Sequence, residues 1–491
     1  MDKKHIVALE IGSSKIKGLA ASVSELGDIQ VIAIEEIRVN DCVRYGKIQN
    51  VQEVSAHVND IIRKLENNSG IAPRKITDIF VSLGGRSLAT VMAQAQVKFP
   101  NAVEITAETI DRLKRDASFG LVTDKNNLGM LPHAFFVDNS EVKNIVGTIG
   151  THLRAEFSTI VISPAICRNL ELIKFDDHSL RLTNVVRPIA LADLVLTVSE
   201  KQLGCALVDF GAETTTITIY TDDPLHSIIT LPIRSRNITR DLMIGLTMTE
   251  ESAEMAKARS GSAIPSDPTG TGDIEVNNYI SARAGEIVAN ILHQIEVAGF
   301  KPQTLPAGVI LTGGGARLRN FDRLIENQSK MPVRMAAIDS SLKFKGNIPE
   351  RNTNIDILAI AKYAADNFSV DCLTAAPQPE AVTSVPDADP DEIYAADPQQ
   401  RRRRHYIDDD SLLEDDKDDI DTGGSPAVRV HNNRKYRHDD FDDEDNIDNN
   451  TDDNDDIHKS GSSLIGGIKR RLAKFWSDPQ DDEDDLDAPA E

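Results

Sequence analysis

The sequence predicts a mixed α/β protein of two lobes, with a smaller α/β unit inserted into the first. Three observations predict it. A strand–turn–strand stretch at residues 5–20 has a second pass at 204–220, and a run of different texture, 86–163, lies between them. At 491 residues, the chain is also too long for one compact core, so two or more domains are expected.

The first hairpin is HIVALEIGSSKIKGLA, His5 to Ala20. Apolar residues run from Ile6 to Ile11 and resume, alternating, at Ile16 and Leu19. Between them lies Gly12-Ser13-Ser14-Lys15, a turn that can aim backbone N–H groups, hydroxyls and an ammonium at a phosphate. Glu10, at the end of the incoming strand, faces the same point and could hold a Mg²⁺ water. Alone, the stretch reads more simply as an ordinary N-terminal hairpin with a polar turn. A strand over Ile29–Val39 follows, then a helix from about Val51 to Asn67, with Val54, Val58, Ile61, Ile62 and Leu65 at helical spacing. After Pro73 comes a strand Ile76–Leu83 ending in Gly84-Gly85.

Within 86–163, Val91–Phe99 alternates as a strand, Thr106–Ala117 reads as a helix, and Leu131–Val137 and Arg154–Ile162 are strand-like. This segment is expected to form a compact subdomain rather than to continue the sheet. The opening pattern then returns in Gly204–Tyr220, where Asp209 stands as Glu10 stood and Gly211 as Gly12 stood. Val309–Ala316 reads as a strand running into Gly313-Gly314-Gly315, a turn that lets a flat ligand or another backbone approach closely. Each signal is weak by itself. Their order and spacing outweigh three coincidental turns.

That order resembles the actin/Hsp70/hexokinase clan, in which two phosphate-facing hairpins and an adenosine-facing glycine turn sit on two lobes that clamp ATP. Within the clan, residues 1–372 are similar to the bacterial cell-division protein family FtsA. Leu9–Lys15 (LEIGSSK) resembles the family's first phosphate motif and Val309–Leu318 (VILTGGGARL) its adenosine motif. Ile238–Leu242 followed by Ala253–Lys257 resembles the segment leading to a ribose-facing Glu and Lys. Segment 86–163 sits where the family carries its insert.

The resemblance implies an actin-like two-lobed ATPase fold and assigns roles. Gly12, Ser13, Ser14 and Lys15 would contact phosphates, with Glu10 and Asp209 near Mg²⁺ through water. Gly211 and Thr214 would form the opposite phosphate turn. Glu254 and Lys257 would meet the ribose, and Gly313, Gly314 and Gly315 the adenosine. The implied lobes are 1–85 with 164–190, and 191–372 with an outer part at 233–305. The implied partners are the tubulin-like FtsZ (through that outer part), further copies of the chain in actin-like filaments, other division proteins and the cytoplasmic membrane. Two departures stand out. Glu213 takes the place of a glycine and Thr216 that of an acid in the second phosphate motif. Ser235-Arg236 replaces a glycine-containing turn. An unpaired carboxylate aimed at a triphosphate would repel it, costing several kcal/mol if buried. ATP binding with at most slow hydrolysis is therefore expected, with Glu213 turned outward, joined to the Mg²⁺ shell, or weakening the site.

The formal charge of −24 is concentrated in residues 376–491, which hold 34 Asp/Glu against 14 Lys/Arg. The folded part is thus nearly balanced, and a general nucleic-acid role, which needs basic surface, is disfavoured. Cys42, Cys167, Cys205 and Cys372 are scattered with no CxxC pair, which fits free thiols in a reducing compartment. No apolar run approaches the ~18–20 residues of a membrane span, and MDKKH is not a secretory leader. These features fit a cytosolic protein, and the FtsA resemblance implies the cytoplasmic face of the cell membrane at the division site.

Residues 373–460 are rich in Pro, Asp, Asn and Arg and are expected to be a disordered acidic linker. Its root-mean-square span would be roughly 50–60 Å. Arg401–Arg404 reads there as a solvated charge run. Segment 461–477 follows, with an acidic tail at 478–491. On a helix, Leu464, Ile465, Ile468, Leu472, Phe475 and Trp476 fall within an arc of about 120°, with Lys469, Arg470, Arg471 and Lys474 at its edges and opposite side. That is the composition of an interfacial membrane helix, although a protein groove reads the same pattern. The rivals on this fold are a pilus-assembly scaffold, which shares the insert type, and a sugar-kinase-like phosphotransferase, for which no candidate base is found. An Hsp70-like chaperone lacks its β-domain after residue 372.

Overall fold

A computed structural model describes residues 4–374, apart from 121–123, 178–179, 266–272, 339–343, 347 and 349–352. The linker, the amphipathic segment 461–477 with all its membrane-facing candidates, and the acidic tail lie outside the described residues.

The first lobe begins with antiparallel β1 (Lys4–Ile11), β2 (Lys15–Val23) and β3 (Ile29–Arg38), then the short pair β4 (Val43–Arg44) and β5 (Lys47–Ile48). Helix α1 (Val51–Glu66) follows, its start capped by the Asn50 side chain accepting from Glu53 N–H at 3.1 Å, worth about 1 kcal/mol. Val54, Val58, Ile61, Ile62 and Leu65 are buried, the face that helical spacing predicted. Gly18 of β2 is what lets the helix lie so close: a Cβ there would meet Ile61 Cγ2 at 2.3 Å. Strand β6 (Asp78–Leu83) then adds to β1 in parallel.

The inserted unit is a separate sheet. β7 (Ala89–Glu104), α2 (Ala107–Gly120), β8 (Asn126–Val137), β9 (Ser140–Glu141) and β10 (Ile149–Ile162) give strand order β7-β10-β8-β9 around their own core of Leu113, Leu153, Ala155 and Phe157. The chain returns through α3 (Pro164–Glu171) to β11 (Arg181–Val186), parallel to β6, and into α4 (Arg187–Val195).

The second lobe repeats the first. After α5 (Val198–Leu203) come β12 (Cys205–Phe210), β13 (Thr215–Tyr220) and β14 (Leu225–Leu231), all antiparallel. Helices α6 (Arg236–Gly245), α7 (Glu250–Ser260) and α8 (Ile274–Val297) lead to β15 (Gly308–Thr312), α9 (Phe321–Ser329) and β16 (Val333–Met335). The order β14-β13-β12-β15-β16 mirrors β3-β2-β1-β6-β11. β12 is buried on both faces, so its residues divide by parity: Cys205 and Leu207 join the first core, Ala206, Val208 and Phe210 the second.

The expected second-lobe boundary needs correction. β17 (Phe344–Lys345) pairs in parallel with β3, and α10 (Ile355–Asn367) lies against β1, β2 and α4, so the end of 191–372 belongs to the first lobe. The described chain ends beside its own beginning. Cys372 N–H donates to His5 O at 2.9 Å, Leu373 bridges Ile76, and Thr374 N–H donates to Lys75 O at 2.8 Å.

Candidate functional site

A cavity of about 1270 Å³ opens between the lobes, larger than the ~300–1,000 Å³ of most small-ligand sites. It brings together Glu10, Gly12, Ser13, Ser14, Lys15, Asp209, Gly211, Thr214, Glu254, Lys257 and Gly313–Gly315, which the sequence scatters over three hundred residues. The two hairpins close their turns alike: Gly12 N–H donates to Lys15 O at 3.0 Å, and Gly211 N–H to Thr214 O at 2.9 Å. Gly313 has φ +91°, and a Cβ there would meet Phe210 O at 2.4 Å, so the third turn can sit over β12 only with glycine. Gly314 has open space beside it, leaving bare backbone toward the cavity.

Lys15 Nζ bonds Glu36 Oε1 at 2.8 Å in a half-exposed ion pair. Such pairs are worth ~0–1 kcal/mol, so the ammonium can leave it for a better anion. On α7, Glu254 Oε1 accepts from Thr239 Oγ1, and from Lys257 Nζ at 2.6 Å. Burial pushes the Lys257 ammonium below its ordinary pKa, against the pull of Glu254.

Sequence reasoning missed the floor of the cleft. Arg187, first residue of α4, donates from Nη2 to Asp209 Oδ2, and its Nη1 lies 3.7 Å from Glu10 Oε1. Lys17 Nζ bonds Asp356 Oδ1 and Oδ2 at 3.0 Å and Thr353 O at 2.9 Å, and lies 4.0 Å from Glu10 Oε2. Burial, and then the neighbouring Asp356, push the Glu10 carboxyl up to about 8, against Arg187 and Lys17. Burial likewise raises Asp209, which Arg187 opposes. Asp356 is held below the usual carboxylate range, the charge of Lys17 and the hydrogen bond from Glu10 outweighing its burial. The register could have signalled Lys17, since it stands directly across from Glu10.

The concern over Glu213 is also corrected. Its carboxylate is buried and paired: Arg234 Nη1 donates to Oε2 at 2.7 Å, and Arg236 Nη1 to Oε1 at 2.9 Å. The residues that replace the expected glycine turn therefore neutralise the acid that replaces the expected glycine. Ser235 N–H and Arg236 N–H also bond Gly211 O and Ala212 O, at 3.2 and 3.3 Å, seating that segment on the hairpin.

Comparison with known proteins follows the same division of the chain. The family model "Cell division protein FtsA" matches residues 206–359, and "SHS2 domain inserted in FTSA" matches 85–161, the separate four-stranded unit. Cell division protein FtsA of Porphyromonas gingivalis is 29% identical over 356 residues, covering 68% of this chain and 73% of that protein. The Neisseria meningitidis protein of the same name is 26% identical over 400 residues, covering 77% and 93%. The chain belongs to the FtsA family. Its fold is the actin-like two-lobed fold with the FtsA insert at 85–161. Among solved structures it resembles the PilM-PilN type IV pilus biogenesis complex, with TM-score 0.51 and 15% identity over 73% of this chain and 97% of that one. That likeness bears on the fold alone. Among the described residues of this FtsA-family chain, no helix is long and apolar enough to cross a membrane.

Proposed function

We propose that this cell-division protein binds ATP between its lobes and, as an assembling scaffold, tethers FtsZ to the cytoplasmic membrane and helps recruit later division proteins. The observation that carries the nucleotide reading is the convergence of both hairpin turns, the Glu254–Lys257 pair and the glycine turn on one cavity. Gly12, Ser13, Ser14 and Lys15 take the phosphates from one side, Gly211 and Thr214 from the other. Glu254 and Lys257 meet the ribose, and Gly313–Gly315 the adenosine. A ligand that touches both lobes favours the closed arrangement by its differential affinity for it, which is how ATP would govern assembly.

The deciding experiment is calorimetric titration of ATP into the full chain and into Lys15→Ala. Losing a charge-assisted phosphate contact costs about 1.5–3 kcal/mol, so affinity should fall about ten- to a hundredfold. An unchanged affinity in a folded variant would refute the site. The tether rests on the sequence of 461–477. Its six apolar side chains give about 1.5–3 kcal/mol each when fully buried, and less at an interface, while four cations near an anionic leaflet add about 1 kcal/mol each. Phe475→Glu should abolish sedimentation with vesicles, which added salt should only weaken.

A further inference from the structure

Each hairpin turn of the cleft is bonded through its backbone to a segment of its own lobe, and the two segments meet. In the first lobe, Val39 N–H donates to Ser14 O at 3.0 Å, so the loop that carries Asp41 and Tyr45 starts from the first turn. That loop is also fixed at its far end. Arg86 N–H donates to Tyr45 O at 2.9 Å, and a Cβ on Gly46 would meet Gly85 Cα at 2.4 Å. In the second lobe, Ser235 N–H and Arg236 N–H donate to Gly211 O and Ala212 O, so their segment starts from the second turn. From there the Arg234 guanidinium lies over the Tyr45 ring at 4.9 Å, and Arg86 stands 5.6 Å from the same ring. Arg236 Nη1 lies 3.6 Å from Asp41 Oδ1, an ion pair that Asp41 shares with Arg44 at 3.7 Å. Glu213 clasps both arginines at 2.7 and 2.9 Å, and Glu250 lies 3.5 Å from Arg236, so they reach the first lobe from a fixed base. Asn40, Gly46, Glu213 and Arg236 all line the cavity, which puts the contact on its wall. A cation–π contact and a largely exposed ion pair are each weak, enough to bias opening and too little to prevent it.

We propose that Tyr45 and Asp41, with Arg234 and Arg236, form a latch between the lobes that gates the cleft. When it opens, the lobes part about the core they share at Cys205 and Leu207, and nucleotide enters or leaves. The proposal rests on the nucleotide reading above. The contacts are between protein groups and need no ligand, so the latch holds the loaded and the empty cleft alike. A bias equal in both states shifts no binding equilibrium, so the latch sets the rate of exchange and leaves affinity nearly unchanged. Slow exchange would keep each copy in one nucleotide state while it is part of an assembly.

The test is stopped-flow mixing of the full chain with a fluorescent ATP analogue, then displacement of the analogue by excess ATP. Tyr45→Ala should speed entry and release alike, about five- to tenfold, with affinity held within about threefold. Asp41→Asn, at an exposed position, should speed both about two- to threefold. Tyr45→Phe keeps the ring and should match the wild type within about twofold. Rates unchanged in both Tyr45→Ala and Asp41→Asn would overturn the latch. Faster release with unchanged entry would place these residues in the binding energy of the ligand and overturn the gate. A second readout uses no nucleotide. The four native cysteines are buried, so spin labels on Gln52→Cys and Asn278→Cys, both exposed positions, report the distance between the lobes. That distance should lengthen or broaden in Tyr45→Ala and stay as in the wild type in Tyr45→Phe. If no protein binds ATP, the nucleotide reading falls, and the label distance still decides the latch. An unmoved distance in folded Tyr45→Ala ends it.

Discussion

The two hairpins that face the cleft share one backbone and carry different charges. Each places an acid two residues before its turn glycine, with a cross-strand partner: Glu10 opposite Lys17, Asp209 opposite Thr216. The first turn ends in a half-exposed lysine held by a surface pair, a cation free to move. The second turn carries Glu213, buried and clasped by Arg234 and Arg236. Those arginines also reach the first lobe, Arg234 over the Tyr45 ring at 4.9 Å and Arg236 Nη1 at 3.6 Å from Asp41. One hairpin keeps its charge available for a ligand, and the other commits its charge to holding the lobe. The repeated hairpin thus keeps the geometry of its turn while its electrostatics differ.

Substitutions can break this comparison. Glu213→Ala leaves two largely buried guanidinium groups without their acid and should destabilise the second lobe by about 3–5 kcal/mol, read from urea unfolding. A cost under about 1 kcal/mol would mean the clasp is incidental. The equivalent cross-strand positions should then respond unequally. Lys17→Met removes the cation shared by Asp356 and Glu10 and should cost about 3 kcal/mol. Thr216→Val gives up one 3.3 Å hydroxyl contact with Thr230 and should cost about 1 kcal/mol. Equal losses at the two positions would erase the difference. Lys15→Ala should change stability by less than about 1 kcal/mol while weakening ATP binding, since only a surface pair is lost.

The smallest effect concerns how the sheets guard their outer strands. β3 is flanked by β17, whereas β14 is covered by the insert: Ile228 N–H donates to Thr90 Oγ1 at 2.9 Å, and Ser158 Oγ to His226 O at 3.3 Å. His226 stands edge-on to His133 there, and burial, with His133, holds it below the ordinary histidine pKa of 6.5. The unfolded chain therefore binds the proton more readily than the folded one. Stability should be full above pH 6.5 and fall as pH drops toward the folded value. His226→Gln should flatten that slope in thermal unfolding followed across pH.

Much of this architecture is legible in the sequence where one period dominates. The hairpins alternate, α1 shows its 3.6-residue stripe, and the insert has an identifiable texture. The return of β17 and α10 is not legible. The strand is two residues long, and α10 is buried by neighbours on more than one side, so the run Ile355, Ile357, Leu358, Ala359, Ile360 and Ala361 gives it no clear polar stripe to read. The candidate site residues are legible as turns and acids, but the ion-pair partners the fold gives them are not. Nothing local ties Arg187 to Asp209, Asp356 to Lys17, or Arg234 to Glu213, because those pairs exist only once the lobes are folded.

The stitching of residues 372–374 to the start of β1 and to Lys75 and Ile76 gives the molecule a load path. Traction along the chain beyond Thr374 arrives at the first lobe, on backbone bonds to His5 and Lys75, and α10 behind them is packed into that lobe's core. The second lobe lies off this line. Tension on the chain there would be borne by the first lobe and would reach the second through the core they share at Cys205 and Leu207.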